Sequence, residues 1–327
     1  MISCQTQAER WEMIEPFEIS REVITAQPVL LVRLSDGHGH TGQAEAAGVD
    51  YDGETPQTLA AQIDRVAPRL HDAITGQDLL ALLPAGGARN ALDCALWDLH
   101  AKQSGLPVWQ AAGLPAPQPV TTAFTIGLGD EATTRRKARE ARAYPLIKLK
   151  VDAQRHLDMV RWVREEHPGA RLVVDANQGW TLDLLKDLCP KLARLGVEMV
   201  EQPLPRGSDA LLDGFKAALP LAADESCTDL ASLKTLVGRY QFINIKLDKC
   251  GGLTEALAMA ADARELGLGL MVGNMCGTSL AMAPAFLLAQ QCQYVDLDGP
   301  LLQTLDRDCP MVYRNGVIDP PLPALWG

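Results

Sequence analysis

The sequence predicts a parallel β/α barrel of eight strands preceded by a small α+β domain, and three observations carry the prediction. From about Thr121 onward, short apolar runs alternate with helix-like stretches. Such alternation marks a parallel sheet wrapped by helices. Three successive runs end in an acid: Arg171-Leu-Val-Val-Asp175, Val197-Glu-Met-Val-Glu201 and Leu221-Ala-Ala-Asp224. The acids stand 26 and 23 residues apart, the spacing of one strand–helix unit. No G-x-G-x-x-G turn follows the first barrel strand candidate and no G-x-x-x-x-G-K-[ST] is present, although an open doubly wound sheet would more often carry such a turn there; Gly37-x-Gly39-x-x-Gly42 lies between two strand candidates of the first domain and opens no helix.

Residues 1–118 read as the α+β domain. Pro28–Leu34 and Gly42–Ala46 flank Asp36-Gly37-His38-Gly39, a hairpin signal, and helix-like stretches follow at Pro56–Leu70 and Arg89–Ser104. Pro115-Ala-Pro117-Gln-Pro119 is the expected linker. Residues 119–310 form the barrel. Its strand candidates are Thr121–Gly127, Pro145–Val151, Leu172–Asn177, Val197–Pro203, Leu219–Ser226, Phe242–Asp248, Leu268–Asn274 and Gln293–Gly299. Between them, Gln154–Glu166, Leu182–Leu195 and Thr254–Leu266 repeat apolar residues at three and four, as amphipathic helices do. In the tail, residues 311–327, Met311–Ile318 reads as a hairpin returning to the first domain.

A chain of 327 residues, 47% hydrophobic, can bury a large core and suggests two domains. Its net charge of −11 argues against nucleic acid or an anionic membrane as the main partner. The longest apolar run, Leu280–Ala289, contains Pro284 and is too short to span a bilayer. Met1–Arg10 shows no basic patch followed by an apolar segment, so a cytoplasmic enzyme is expected. The eight cysteines form no C-x-x-C pair, and several sit inside apolar runs, which suits free thiols in a reducing compartment.

A lone Asp at a strand end is commonly a helix cap. Three acids at the ends of neighbouring barrel strands meet at the C-terminal rim, where β/α barrels carry their active sites. Converging carboxylates repel unless a cation sits among them, and a hard ion such as Mg²⁺, one per subunit, is the expected partner of Asp175, Glu201 and Asp224.

Lys148 and Lys150 share one face of the second strand, with Leu149 and Val151 facing the outer helices. Two inward ammonium groups so close together are expected to lower the pKa of at least one, as a catalytic base requires. In Phe242-Ile-Asn244-Ile-Lys246-Leu-Asp248, Lys246 is expected to share a face with Asn244 and Asp248. Strands two and six lie across a barrel of eight, so Lys150 and Lys246 would approach a central ligand from opposite sides. Opposed bases beside a metal-bound carboxylate suit a 1,1-proton transfer through an enediolate.

Lys148-x-Lys150, Asp175-x-Asn177, Glu201-Gln-Pro, Asp224-Glu-Ser and Asn244-Ile-Lys246, in this order, resemble the enolase superfamily in its muconate-lactonizing subgroup. The resemblance covers nearly the whole chain, and Ala88–Leu99 is similar to the helix that closes that family's capping domain. It implies a modified TIM-type barrel, (β/α)7β, with an N-terminal α+β capping domain. It also implies Mg²⁺ on Asp175, Glu201 and Asp224, Lys150 and Lys246 as the acid/base pair, and Lys148 as the residue tuning Lys150. Capping loops around Phe17–Thr25 and Gly48–Thr55 would touch the substrate.

Asp296-x-Asp298, at the end of the eighth strand, resembles the pair that holds the substrate α-ammonium in dipeptide epimerases. The implied activity is an isomerase inverting the α-carbon of the C-terminal residue of a dipeptide. The commonest bacterial type acts on L-Ala-D/L-Glu from cell-wall peptide turnover. Arg21 would pair with a glutamyl side chain, and Thr125 and Met275 would make further substrate contacts. Gly273–Thr278 leaves room for apolar side chains, which counts against strict Glu specificity. An N-acylamino acid racemase, a muconate-type cycloisomerase and a barrel without catalysis stay open as alternatives, as does a homo-oligomer.

Overall fold

The computed structural model describes residues 1–19 and 23–327; Arg21, in segment 20–22, lies outside the described residues. Strands β1 (Ser3–Glu18), β2 (Val23–Ser35) and β3 (Thr41–Ala46) form an antiparallel sheet in that order. Asp36 Oδ1 closes the β2–β3 turn by accepting from the backbone N–H of His38 at 2.7 Å. Helices α1 (Pro56–Val66) and α3 (Gly87–Ser104) pack on this sheet and α2 (Gly76–Leu82) packs on α3, with α1 and α2 capped by Thr55 and Thr75. At Gly42 any Cβ would run into the backbone of Ala95 and Leu99, so glycine alone lets β3 lie against α3.

After the short α4 (Val108–Ala111) and β4 (Val120–Thr121), eight parallel strands follow in unbroken order. They are β5 (Phe124–Ile126), β6 (Leu146–Lys150), β7 (Arg171–Asp175), β8 (Val197–Glu201), β9 (Leu221–Ala223), β10 (Phe242–Ile245), β11 (Gly269–Val272) and β12 (Tyr294–Val295). The first and last meet where Ala123 N–H donates to Val295 O at 2.8 Å. Helices α5 (Glu131–Glu140), α6 (His156–Glu166), α7 (Leu182–Arg194), α8 (Leu233–Leu236), α9 (Leu247–Cys250), α10 (Leu253–Glu265) and α11 (Ser279–Ala289) lie between the strands, and a 3-10 turn, Asp209–Leu212, takes the helix position between β8 and β9. Among the described residues no helix is long and apolar enough to cross a membrane.

Period-two alternation sorts the strand residues into two sets. Ile147, Leu149, Leu172, Val174, Ile243 and Ile245 join the core shared with the outer helices. Leu146, Val173, Met199, Ala222, Met271 and Tyr294 form a separate apolar cluster inside the barrel. The next inward positions along these strands are Lys148, Asp175, Glu201, Asp224 and Asp296, with Gly273 after β11, so the site stands on an apolar floor.

Two expectations need correction. Strand β10 ends at Ile245, and Lys246, still extended, caps the single helical turn α9 that starts at Leu247. Asp248 therefore does not share a face with Lys246; its carboxylate accepts from Gly48 N–H of the capping domain at 2.9 Å. The turn is closed by Gly251 at φ +76°, and Arg89 of α3 donates to Cys250 O at 2.7 Å. The tail hairpin, β13 (Tyr313–Arg314) and β14 (Val317–Ile318), pairs with β4 rather than with the first sheet. The residues beyond it do return to the first domain: Trp326 Nε1–H donates to Cys94 O at 2.9 Å, Gly327 N–H to Asp98 at 2.7 Å, and Leu325 O accepts from Gln43 Nε2–H at 3.1 Å.

A buried ion pair joins β3 to the barrel. Glu45 accepts from Thr278 N–H at 2.7 Å and from Arg307 Nη2 at 2.5 Å. Arg307 also reaches Glu9 at 2.6 Å and lies 4.7 Å over the Trp11 ring. Arg307→Ala leaves the Glu45 charge buried without its cation, a change that costs about 3–5 kcal/mol. Urea unfolding should show a loss of that order, whereas a loss below about 1 kcal/mol would mean the pair is dispensable.

Candidate active site

Asp175 and Glu201 are the last residues of β7 and β8, and Asp224 follows the last residue of β9. Their carboxylate oxygens lie within 4.8 Å of one another, and all three residues are buried. Lys148 and Lys150 project from β6 on the same face. Lys150 Nζ is 2.7 Å from Asp175, and Lys246 Nζ is 2.9 Å from Asp224. Lys148 Nζ reaches three carboxylates, Asp296 at 2.8 Å, Glu201 at 2.9 Å and Asp175 at 3.1 Å.

These charges set the shifts of Lys148 and Lys246. Burial pulls Lys148 down, but Asp296, Glu201, Asp175 and Asp224 outweigh it and hold the ammonium well above the ordinary lysine range. Burial likewise opposes, and Asp224 outweighs, the shift of Lys246, which is also raised. Carboxylates here outnumber the neighbouring lysine that was expected to dominate. Burial, then the Asp175 charge, push Glu201 up. Burial also raises Asp224, but Lys246 and Lys249 more than reverse it.

The donor set fits a hard divalent cation. It is all carboxylate oxygen, convergent, buried and self-repelling.

Above the triad a cavity of about 540 Å³ opens between the capping domain and the barrel rim. Lys150 and Lys246 line it, as do Asp224, Asn274, Met275 and Cys276. From the capping side come Phe17, Ile19, Ile24 and residues 47–57 other than Val49 and Asp52. Lys148, Asp296, Asp298 and Thr125 do not line it. Instead, Asp298 accepts from Thr125 N–H at 2.6 Å, and Asp296 from Thr125 Oγ1–H at 3.3 Å. Of the expected substrate contacts, the structure thus brings Met275 to the cavity and buries Thr125 against the acid pair.

Three supporting residues carried no expected role. Asn244 Nδ2–H donates to Glu201 Oε1 at 2.7 Å. Gln202 Oε1 accepts from Asp224 N–H at 2.9 Å and from Ser226 N–H at 3.1 Å. Lys249 is buried against Asp224. The Glu201-Gln-Pro motif carried a signal for Gln202; nothing in the local pattern marked Lys249.

A capped β/α barrel with a carboxylate triad at its rim and lysines on both flanks defines a class of metal-assisted enzymes. The family patterns agree: "Enolase C-terminal domain-like" matches residues 130–323, and "Mandelate racemase / muconate lactonizing enzyme, N-terminal domain" matches residues 1–113. The chain belongs to the mandelate racemase/muconate lactonizing enzyme family of the enolase superfamily.

Among its relatives, the L-Ala-D/L-Glu epimerase of Escherichia coli (strain K12) is 40% identical over 310 residues, 94% of this chain and 96% of that one. The N-acetyl-D-glutamate racemase of Pseudoalteromonas sp is 44% identical over 252 residues, 76% of this chain and 79% of that one. An enolase family member from Agrobacterium tumefaciens with homology to dipeptide epimerases, solved with sodium and L-Ala-L-Glu, superposes with a TM-score of 0.96 at 42% identity over 100% of both chains. The dipeptide epimerase of Methylococcus capsulatus, complexed with Mg and L-Arg-D-Lys, gives 0.90 at 30% identity over 99% of both.

Proposed function

We propose that the chain is an isomerase, a Mg²⁺-dependent dipeptide epimerase that inverts the α-carbon of the C-terminal residue of L-Ala-D/L-Glu. The setting we propose is the cytoplasm, on peptides released by cell-wall turnover. The observation that carries the reading is that Lys150 and Lys246 line one cavity, each paired with a different acid of the triad. Asp175, Glu201 and Asp224 are the residues that would hold the cation. When bound, it supplies positive charge to the substrate carboxylate and takes up carboxylate charge that otherwise favours protonated lysines.

One lysine, unprotonated, takes the α-proton from one face, and the other, as ammonium, returns a proton to the opposite face. The pair ends with its protonation exchanged, so the reverse reaction starts from the product state. Lys148, packed among Asp296, Glu201 and Asp175 and away from the cavity, holds these acids rather than exchanging protons with substrate. Glutamate is common to the names of the E. coli and Pseudoalteromonas relatives and to the Agrobacterium ligand, which supports a glutamyl residue at the reacting end. Arg21 is the cation we assign to its side chain.

One observation favours a second reading, an N-acylamino acid racemase. Asp296 and Asp298 do not line the cavity, and N-acyl substrates have no ammonium to place there. Steady-state assays with L-Ala-L-Glu and N-acetyl-D-glutamate decide between the two. The epimerase reading expects the dipeptide to win. It also expects Asp296→Asn/Asp298→Asn to lower kcat/KM on the dipeptide by about ten- to a hundredfold, because a charge-assisted contact is worth roughly 1.5–3 kcal/mol. Equal losses on both substrates, or preference for the N-acyl compound, would shift the assignment to the racemase.

A further inference from the structure

We infer that Lys249, a fourth buried lysine beside the triad, is the positioning residue that fixes Asp224 as a metal ligand. The inference rests on the metal reading above and deepens it. An ammonium has three donors, and Lys249 Nζ uses them on three oxygens. It donates to Asp224 Oδ1 at 2.6 Å, to Asn244 O at 3.1 Å and to the main-chain O of Asp224.

The sheet itself leaves this work undone. Strand β9 is three residues long, and its pairing with β10 stops at Ala223↔Ile243. Asp224 and Asn244 stand one residue past that ladder, each with a carbonyl turned to the same ammonium. Lys249 therefore joins the two strand ends where backbone pairing has ceased. By occupying Oδ1 it leaves Oδ2 on the side of Lys246, where Nζ is 2.9 Å away. Asn244 in turn donates to Glu201 Oε1, so the same contact steadies the partner of a second acid. The helical turn that carries Lys249 is anchored from the capping domain through Arg89 on Cys250 O.

Two opposing effects follow from removing the ammonium. Loss of a positive charge makes the triad more attractive to a cation. Loss of the clamp frees the Asp224 carboxylate and strips a donor from two buried carbonyls. The second effect dominates if Lys249 positions Asp224; partners of this kind change metal affinity by about 10–100-fold.

The test is Mg²⁺ titration calorimetry on EDTA-stripped full-length protein, parent against Lys249→Met, with thermal unfolding as the check on folding. Expected is a parent that binds Mg²⁺ and a variant with Kd raised about tenfold or more. The half-saturating Mg²⁺ for turnover should rise by the same factor, while kcat recovers at saturating Mg²⁺. A general structural defect would not recover in that way. An unchanged or tighter Kd in the variant overturns the inference and leaves the metal reading standing. A parent that binds no Mg²⁺ overturns the metal reading and the inference with it. If Lys249→Met does not fold, Lys249→Arg is measured instead. It keeps the charge but spreads its donors over a planar fork, so it too should bind more weakly, and parent-like affinity would show that charge alone matters.

Discussion

Glu201→Gln yields a folded protein that has lost Mg²⁺ binding and, with it, turnover by ~10³-fold or more, since the cation contributes several kcal/mol of charge stabilisation. The amide keeps the shape of the side chain and its carbonyl can still accept from Asn244 Nδ2–H. It removes the charge at the middle strand of the triad. Stability should not fall. Burial, then the Asp175 charge, raise the Glu201 carboxyl above its ordinary range, so ionisation costs stability at pH above the unfolded value of about 4.3. A neutral side chain removes that cost at neutral pH and changes nothing below it. Calorimetry, turnover and thermal unfolding check the three parts, and parent-like turnover in the variant would remove Glu201 from the metal site.

Lys150→Ala and Lys246→Ala should each block epimerisation, by about 10²–10⁴-fold for loss of one acid/base group. They should not behave alike. Each lysine stands on a different flank of the triad, Lys150 on β6 beside Asp175 and Lys246 after β10 beside Asp224. Each variant should therefore still exchange the α-proton of one substrate epimer with solvent while failing to invert it. Proton NMR in D₂O on L-Ala-L-Glu and L-Ala-D-Glu separates exchange from inversion. If either variant epimerises at the parent rate, the two-base scheme is wrong.

The barrel was legible because two periodicities compete cleanly along the chain. Runs such as Leu146–Lys150 and Leu172–Asp175 alternate inward and outward residues, while Leu182–Arg194 repeats its apolar residues at helical spacing. The acids were legible because each closes a strand, and strand ends point to one rim. Strand β1 was not legible: most of its residues are exposed, so no apolar alternation marks it.

The misreading at Lys246 has a geometric cause. Ile245-Lys246-Leu247-Asp248 continues the alternation of β10, yet the chain turns helical so that Lys249 can pass beneath Asp224. Convergence of that kind, between residues 25 apart in sequence, leaves no local trace. The raised shift of Lys148 has no local trace for a related reason. The sequence places Lys148 next to Lys150, but the fold adds Glu201, Asp175 and Asp296 around it. The burial of Asp296 and Asp298 against Lys148 and Thr125 likewise depends on how the ends of β5, β6 and β12 meet.

The central claim is proton exchange at the α-carbon of the C-terminal residue of a dipeptide. Incubation of the Mg²⁺-loaded protein with a dipeptide library in D₂O, followed by mass spectrometry, tests it most directly. The account predicts a gain of one mass unit in L-Ala-L-Glu and L-Ala-D-Glu, located in the C-terminal residue and abolished by EDTA. No mass gain in any dipeptide, or a gain that survives removal of the metal, would contradict it.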